Sequence, residues 1–287
     1  MTQCLFVSDL HGNLDRFQKL FKATAEYLPE LVFIGGDILP SGLMALVNSD
    51  LSDGSFIESY LIPQFTDLKK LLGERYPQIF LILGNDDGRF EEETIISNDN
   101  AGLWHYMHDR KYPYGQLVIY GYAFVPPSPF MLKDWEKYDI SRYVDPGCVS
   151  PEEGFRSVKI SEHDMKYATI ADDLSRLIES DNLSNAIMLF HTPPHKTNLD
   201  RIDTKGKMID HVPIDPHIGS IAVRRMIEER QPLITLHGHA HESATVTGSW
   251  KDRIGRTRMF SAAHDGPELS LIHFTAEDPD SAERLLI

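Results

Sequence analysis

Cysteine is nearly absent from this sequence. The 287 residues include only two, Cys4 and Cys148, which lie far apart and form no CxxC pair. A disulfide framework and a cysteine-based structural zinc site are therefore both excluded. Cys4 lies within a run of apolar residues, which predicts a buried, reduced thiol. This cysteine usage is typical of a cytosolic protein.

The sequence also has no long apolar run. No stretch approaches the roughly 20 residues that an α-helix needs to span a bilayer. The N-terminal sequence MTQCLFVSDLHG contains no cationic segment, and its apolar run is short. We therefore predict that it forms the first strand of the fold and is not a secretory signal. The expectation is a soluble, cytoplasmic protein with no membrane partner.

Basic residues are outnumbered. The chain has 28 Lys and Arg against 43 Asp and Glu, a formal net charge of −15. A protein that grips nucleic acid through backbone charge needs basic stripes, so this balance argues against nucleic acid as a partner. A small phosphorylated substrate is still allowed, because bound metal ions supply positive charge that the sequence count omits. The composition leaves the oligomeric state open.

Short, wholly apolar runs are abundant. Such runs are typical of strands that are buried on both faces. Amphipathic stretches lie between them, and Asn13 is placed to cap the first one. The alternation of strands and helices predicts an α/β layered fold. The predicted strands are 4–9, 31–37, 79–85, 186–191 and 233–239, and the predicted helices are 13–28, 56–75 with a kink near Pro63, 163–180 and 217–230.

The C-terminal third has a different pattern. Residues 243–248, 256–262 and 268–274 alternate in polarity and are separated by turn signals such as WKDRIG, which predicts consecutive antiparallel strands. Two long stretches, 38–60 and 122–160, fit no regular element. Loops of this length in a compact domain tend to cover or line a binding site. We expect both to lie near the ligand-binding face.

Seven side chains with oxygen or imidazole donors follow the ends of predicted strands. In open α/β sheets the carboxyl ends of the strands share one edge and form the ligand crevice, so residues distant in sequence converge there. Asp, Asn and His are ligands that suit Mn, Fe, Zn or Ni. The seven are Asp9 and His11 in SDLHG, Asp37 in GGD, Asn85 in GND, His191 in LFH, and His239 and His241 in HGHAH.

Each of these motifs alone has an ordinary explanation. GGD and GND are good turn sequences. His191 alone could be a hydrogen-bonded core residue, and the histidines of GHAH could be solvated. Five such motifs at five strand ends are much harder to explain by chance. We therefore predict a metal site.

The motifs, in this order, resemble the calcineurin-like metallophosphoesterase family, whose pattern is DxH, GD, GNH, a lone His and GHxH. The resemblance runs over most of the chain. It implies a single metallophosphoesterase domain, residues 1–287, with a four-layer αββα sandwich of two mixed β-sheets flanked by helices. Stretches 38–60 and 122–160 would be inserted loops near the active-site face.

The resemblance also implies a centre of two divalent metal ions. Such a centre hydrolyses a phosphomonoester or phosphodiester with a metal-activated water, so the implied function is a metal-dependent phosphoesterase. The ligand set accepts Mn, Fe, Zn or Ni, and the inserted loops would select the substrate. By the resemblance, Asp9, His11 and His241 would hold one ion, Asn85, His191 and His239 would hold the other, and Asp37 would bridge both.

The sequence departs from the family at residue 86, where GNDD has Asp86 in place of the GNH histidine. In the family that histidine is not a metal ligand; it lies near the substrate and steadies the phosphate or protonates the leaving oxygen. Burial raises the pKa of an Asp, but two nearby cations lower it, and we expect the cations to win. Asp86 is then ionised and is a poor replacement for a proton donor.

Three interpretations of residue 86 stay open. Asp86 takes part in the metal site as an extra carboxylate, or orients a histidine ligand from outside it. Alternatively, another residue supplies the proton, with His195, His217 and His264 as candidates, or the leaving group needs no proton. We favour a separate proton donor, and His195 is ahead because it lies four residues after His191.

Two other classes of function compete with the phosphoesterase. A non-catalytic interaction module on the same fold, like the retromer scaffold subunit of this family, is favoured by the absent GNH histidine. The seven intact ligand positions argue against it. A nuclease is disfavoured by the acidic balance and by the lack of a basic, aromatic-lined groove. The phosphoesterase is the leading hypothesis.

Overall fold

Two six-stranded β-sheets, each with parallel and antiparallel pairs, form the centre of the protein. The structure is a computed structural model that describes residues 1–42, 55–99, 101–206, 208–209 and 211–287. Within these ranges the strands are β1 (Gln3–Val7), β2 (Leu31–Gly35), β3 (Gln78–Ile82), β4 (His105–Tyr106), β5 (Arg110–Tyr114), β6 (Leu117–Tyr122), β7 (Ala186–Phe190), β8 (Met208–Ile209), β9 (Val212–Pro213), β10 (Ile234–His237), β11 (Lys251–Ile254), β12 (Thr257–Ser261), β13 (Ser270–Thr275) and β14 (Asp278–Leu286).

The sheets place their parallel strands at the centre. The first sheet has the order β14-β13-β1-β2-β3-β4, and the second has the order β11-β12-β10-β7-β6-β5. Strands β1 to β4 are parallel, as are β12, β10, β7 and β6. Strands β2 and β3 contact β7 across the interface between the sheets. Every residue of β2 and β7 is buried, as expected for strands covered on both faces.

Helices flank the two sheets and complete the predicted four-layer αββα sandwich, which is confirmed. Asn13 caps the first helix by accepting hydrogen bonds from the backbone N–H groups of Asp15 and Arg16. No helix in the described ranges is long and apolar enough to cross a bilayer. The helices are α1 (Leu14–Tyr27), α2 (Ile62–Leu72, which follows a π-helical turn over Ile57–Leu61), α3 (Glu92–Asp99), α4 (Glu162–Tyr167), α5 (Ile170–Ile178), α6 (Ile221–Arg230) and α7 (Ser243–Thr247).

The apolar runs and the first two helices lie where the sequence predicts them, with no end shifted by more than three residues. The predicted helix 163–180 is instead two helices, α4 and α5. The break falls at Ala168 and Thr169, and the Thr169 hydroxyl accepts a hydrogen bond from Asp172 N to cap α5. The backbone N–H of Ile170 also donates to the Tyr138 carbonyl, so a loop contact holds the break open.

The strand prediction for residues 243–248 is wrong, because this stretch forms α7. Ser243 is fully buried, and the Thr247 hydroxyl donates to the Ser243 carbonyl within the helix. Gly248 ends the helix in the left-handed conformation. Tertiary packing and this cap override the β preference of the alternating pattern.

The predicted pairing of the C-terminal strands is also wrong. Residues 257–261 (β12) pair in parallel with β10 in the second sheet, whereas residues 270–275 (β13) pair antiparallel with β1 in the first. The turn signal WKDRIG contains β11, which pairs with β12. Consecutive strands therefore pass from one sheet to the other, which short-range alternation does not reveal.

Residues 123–161, here called the covering segment, follow β6 and are held by buried polar groups instead of regular structure. The side chains of Lys133 and Glu136 are fully buried and form an ion pair at 2.5 Å. The Glu136 carboxylate also accepts hydrogen bonds from the backbone and hydroxyl of Ser128. The inserted status of this segment stays a prediction, and residues 43–54 of the other predicted loop lie outside the described residues.

We predict that Lys133→Met lowers the free energy of unfolding by about 3–5 kcal/mol, because it leaves the Glu136 carboxylate buried without its counterion. Adding Glu136→Gln should recover much of the loss, since no uncompensated charge remains. Urea unfolding followed by circular dichroism measures both, with the exposed Lys22→Met as a control. Equal destabilisation of the single and double variants would show that this ion pair does not order the covering segment.

Candidate metal centre

The loops after five parallel strands meet where the carboxyl ends of the two sheets face each other. Backbone hydrogen bonds join these loops: Asp9 N–H donates to Gly36 O at 3.0 Å, and His11 N–H donates to Asp37 O at 2.8 Å. The second sheet is tied in the same way, by Gly238 N–H and the His191 carbonyl at 2.9 Å. Within each sheet, the loop backbones therefore fix the side chains relative to one another.

One group of side chains lies around Asp9. Donor atoms of Asp9, His11, Asp37 and His241 all lie within 4.8 Å of one another and could hold a metal ion. His241 Nε2 is 3.1 Å from Asp9 Oδ1, and His11 Nε2 is 3.3 Å from His241 Nε2. Asp9 and Asp37 are buried, so the group is closed toward the protein interior.

A second group lies around His191, which is fully buried. Its Nε2 is 3.0 Å from Asn85 Oδ1 and 3.2 Å from Asp37 Oδ2. The His239 ring packs at 5.3 Å from the His191 ring, centroid to centroid. Asp37 therefore belongs to both groups, and His239 is also joined to the first group because its backbone N–H donates to Asp9 Oδ1 at 3.1 Å.

The spacing of these donors fits metal ligation. Two ligand atoms that are each about 2.1 Å from one ion lie roughly 3.0–3.4 Å apart at octahedral or tetrahedral angles. Four pairs of donors in the site have separations of 3.0–3.3 Å: His191–Asn85, His241–Asp9, His191–Asp37 and His11–His241. The side chains present therefore suit metal ions in this site.

Hydrogen bonds fix the tautomer of one histidine. His191 Nδ1 lies 2.8 Å from the carbonyl oxygen of Gly35, which can only accept, so Nδ1 carries the proton. When the ring is neutral, as metal binding requires, the lone pair of Nε2 points toward Asp37 and Asn85. A second partner on the outer nitrogen is the usual way in which proteins orient a metal-binding histidine.

The carboxylates and imidazoles of the site strongly shift one another's titration. Burial alone would raise the pKa of Asp37, but His191 lowers it to about 2. Burial would likewise raise the pKa of Asp9, yet His241 holds it well below its usual range. Burial lowers the pKa of His191, but Asp37 outweighs it and raises the value to about 9, whereas burial and His191 lower the pKa of His239 to about 3. The buried carboxylates thus attract positive charge, which metal ions also supply.

The backbone is strained at the same residues. Asp9, His11, Asp37 and His239 have φ values of 57°, 48°, 50° and 70°, in the left-handed region that residues other than glycine seldom adopt. Each such residue costs on the order of 1–3 kcal/mol and persists only where the surrounding structure fixes it. Strain at four predicted ligands is typical of a functional site.

Two residues that sequence reasoning missed hold the strained loops. Arg16 donates from Nη1 to Asp9 O at 2.7 Å and from Nη2 to Gly266 O at 2.6 Å. Asp87, next to Asp86, is fully buried and accepts hydrogen bonds from the backbone N–H groups of Gly84, Ile38 and Leu39. Only the second Asp of GNDD could have signalled this role; a lone arginine on a helix carries no such signal.

Asp86 contacts a predicted ligand, and its side chain is partly exposed. Its Oδ2 lies 3.4 Å from His11 Nδ1, and its Oδ1 accepts a hydrogen bond from the Ser41 hydroxyl at 2.9 Å. Its backbone N–H donates to Asp37 Oδ1 at 2.8 Å. Asp86 is therefore placed to orient His11, the first of the three interpretations made from the sequence.

The three candidate proton donors lie in two other places. His195 and His217 share the buried carboxylate of Asp200, at 3.8 Å and 2.9 Å from their Nδ1 atoms. His264 lies 3.0 Å from Glu268. In the described part of the chain, none of the three histidines makes a hydrogen bond or an ion pair to any of the seven predicted ligands.

No protein-family model and no curated protein sequence matches the chain. Several solved structures match it. A crystal structure aligns with a TM-score of 0.61 and 15% identity, over 99% of this chain and 98% of its own. The protein TT1561 of Thermus thermophilus aligns with a TM-score of 0.54 and 15% identity, over 99% of this chain and 98% of its own. A dimetal phosphatase from Danio rerio aligns with a TM-score of 0.53 and 10% identity, over 95% of this chain and 92% of its own.

At these identities the likeness establishes the fold. The alignments extend over nearly the whole of each chain, so the overall fold is shared, not only a local motif. The resemblance in the sequence motifs is confirmed at this level: the chain has the calcineurin-like metallophosphoesterase fold.

Proposed function

We propose that this protein is a metal-dependent phosphoesterase that hydrolyses a phosphomonoester or a phosphodiester at a dinuclear metal centre. One observation carries the proposal: the buried Asp37 carboxylate faces both groups of donors, with Oδ2 at 3.2 Å from His191 Nε2 and 4.0 Å from His11 Nε2. A carboxylate that two ligand groups share is suited to bridge two ions. The fold shared with a dimetal phosphatase supports this function.

The donor set contains nitrogen and oxygen without sulfur, which suits Mn, Fe, Zn or Ni. Two such ions, when bound, lower the pKa of water to give a nucleophile and neutralise charge on the transferring phosphoryl group. The chain contributes the fixed ligand orientation, as the Gly35 carbonyl does for His191. The proposed ligands are Asp9, His11 and His241 for one ion and Asn85, His191 and His239 for the other, with Asp37 between them.

We assign Asp86 a positioning role toward His11. A carboxylate beside Nδ1 holds the proton on that nitrogen, so that Nε2 is free to bind an ion. Ser41 in turn holds the other oxygen of Asp86. This role replaces the direct proton donation that the GNH histidine would provide, since an anion here would repel a substrate phosphate.

We assign protonation of the leaving group to the pair of histidines that share Asp200. His217 Nδ1–H donates to the carboxylate at 2.9 Å, which leaves Nε2 as the exchanging nitrogen. His195 is the second member, and its ring packs edge-on against that of His217. A buried carboxylate behind an imidazole fixes the orientation of the ring and the nitrogen that carries the proton, as proton transfer requires.

The substrate that we propose is a small phosphorylated molecule in the cytoplasm. The competing hypothesis, an interaction module on the same fold, predicts no turnover of any phosphate ester. The ordered donors around Asp37 favour the enzyme.

We predict that Asp37→Asn reduces bound metal and lowers turnover by at least about 100-fold, because a neutral amide is a poor bridge between two cations. Elemental analysis and steady-state kinetics with p-nitrophenyl phosphate and bis(p-nitrophenyl) phosphate measure the two effects after reconstitution with Mn²⁺. The exposed His163→Ala is the control. Unchanged turnover in Asp37→Asn would contradict the proposal, and an inactive metal-loaded wild type would favour the interaction module.

Asp86→Asn should weaken Mn²⁺ affinity by about 10–100-fold, because the carboxylate behind His11 is lost. Isothermal titration calorimetry of the metal-free protein gives this affinity directly, and saturating Mn²⁺ should restore most of the turnover. Asp67→Asn, at an exposed carboxylate, is the matched control. Normal metal affinity combined with lost turnover would instead give Asp86 a direct part in the reaction.

His195→Gln and His217→Gln should discriminate between leaving groups. Loss of the proton donor is expected to lower turnover of an alkyl phosphate ester by about 100-fold or more, because an alkoxide leaves poorly without a proton. Turnover of p-nitrophenyl esters should fall by less than about tenfold. Equal losses on both substrates, or none, would remove these histidines from the proton-transfer step.

A further inference from the structure

A cavity of about 440 Å³ lies between the covering segment, α4 and α5. This volume is within the range of small-molecule sites. Although the chain is strongly acidic, the walls of this cavity are rich in cations. We call it the Arg156 pocket, defined by Arg89, Phe124, Lys137, Arg156, Lys159 and Arg176.

Three of these cations are already paired with carboxylates. Lys137 and Arg176 both bind Asp173. Arg176 also binds Asp109 at 3.0 Å, and Arg89 Nε donates to Glu92 at 2.9 Å. Their charges are balanced within the protein, so they do not by themselves call for a ligand.

Arg156 has no carboxylate partner among the described residues. Its Nη1 and Nη2 donate to the backbone carbonyls of Lys133 and Glu136, and its Nε is buried without any hydrogen-bond partner in the described part of the chain. The nearby Asp134 carboxylate accepts hydrogen bonds from the backbone N–H groups of Arg89 and Ser157. The Asp134 and Glu136 carboxylates lie near enough to favour the charged guanidinium, but neither forms an ion pair with it, so a bound anion would be its direct charge partner.

Lys159 is a second cation of the same wall that makes no ion pair within the described ranges. Its side chain is exposed at the cavity. The described carboxylates of the wall are all paired with Lys or Arg except that of Asp164, which is exposed. The Asp164 carboxylate accepts a hydrogen bond from the Ser161 hydroxyl at 2.7 Å. Arg156 and Lys159 together therefore outweigh it.

The buried His108 ring lies near several of the same cations. Burial lowers the pKa of His108 well below its usual range, and Arg89, Lys137 and Arg176 lower it further. His108 Nδ1 accepts a hydrogen bond from Ala123 N–H, which fits a neutral ring. The cations near His108 therefore disfavour its protonation although each of them is paired with a carboxylate.

The pocket also has an aromatic wall. Lys137 Nζ lies 4.2 Å from the centroid of the Phe124 ring, and the Arg89 guanidinium lies 4.8 Å from that of Trp135. His108 packs against Phe124 and Trp135. Of these rings, Phe124 and His108 line the cavity, whereas Trp135 is fully buried behind them, so an anion that carries an organic group would contact Phe124.

The pocket adjoins the candidate metal centre along the chain. Arg89 lies four residues after Asn85, so their Cα atoms are separated by at most about 14 Å. Its backbone N–H is held by Asp134 of the covering segment, which ties the GNDD loop to the pocket. A ligand of modest length in the pocket would therefore lie close to the loop that carries Asn85 and Asp86.

We propose that the Arg156 pocket binds a small organic phosphate, with the phosphate at Arg156 and Lys159 and the organic part against Phe124. The proposal does not rest on phosphoesterase activity, because the pocket shares no residue with the donor groups around Asp37. The bound molecule could be a non-reacting part of the substrate or a separate effector, and the chemistry that recognises it is the same.

Binding of phenylphosphonate, which cannot be hydrolysed as an ester, tests the proposal by isothermal titration calorimetry on the full-length protein. One arm uses metal-loaded protein and the other uses protein treated with EDTA, in which the metal centre cannot contribute. We expect one equivalent to bind in the EDTA arm. Lys159→Met and Arg156→Gln should each weaken binding by about tenfold or more, and Lys22→Met should have no effect.

Lys159 is exposed, so its variant keeps the test valid even if Arg156→Gln destabilises the covering segment. Absence of binding in the EDTA arm, or undiminished binding by Lys159→Met, would overturn the proposal. If binding is confirmed, phenylphosphonate that competes with substrate in steady-state kinetics identifies the pocket as part of the substrate site. Binding that changes turnover without competition identifies an effector. An inactive enzyme would leave the binding result standing.

Discussion

The candidate site depends on one buried carboxylate, that of Asp37. Its Oδ2 lies 3.2 Å from His191 Nε2 and 4.0 Å from His11 Nε2. A carboxylate in this position is stable only while positive charge surrounds it, because burial alone would protonate it. Imidazoles supply that charge in the metal-free protein. Metal ions would supply it in the enzyme that we propose, so the same negative charge both shapes the site and selects its ligands.

The rigid sheets support a strained backbone at four of the predicted ligands. Asp9, His11, Asp37 and His239 all have left-handed backbones, yet each closely follows a strand whose residues are almost wholly buried. The loops have little freedom to relax, since Arg16 and the buried Asp87 hold their backbone groups. Strain of this kind needs a rigid support, and fully buried parallel strands provide one.

The sequence predicted those parts that depend on short-range pattern. Wholly apolar runs indicated the buried strands, and a polar ligand at the end of each run indicated where the strands would meet. It did not predict elements whose structure depends on distant partners. Residues 243–248 alternate like a strand but form a helix under a tertiary constraint, and residues 257–261 and 270–275 join different sheets.

The candidate site could also be predicted only in part from the sequence. The seven donors could be named from their motifs, but the residues that orient them could not. Asp86 meets His11 across 75 residues of sequence, and Arg156 stands out only when every neighbouring carboxylate is accounted for.

The distribution of charge explains how an acidic protein could handle phosphorylated molecules. Overall negative charge repels such ligands at long range, but screening confines that repulsion to about 10 Å in physiological salt. Close to the protein, the local distribution of charge determines whether a phosphorylated ligand is attracted or repelled. Positive potential arises here in two ways: buried carboxylates at Asp9 and Asp37 would concentrate metal ions, and Arg156 with Lys159 lacks carboxylate partners in the described part of the chain. In the function that we propose, the negative net charge would disfavour long polyanions such as nucleic acid, whereas a small anion would respond mainly to these local positive charges.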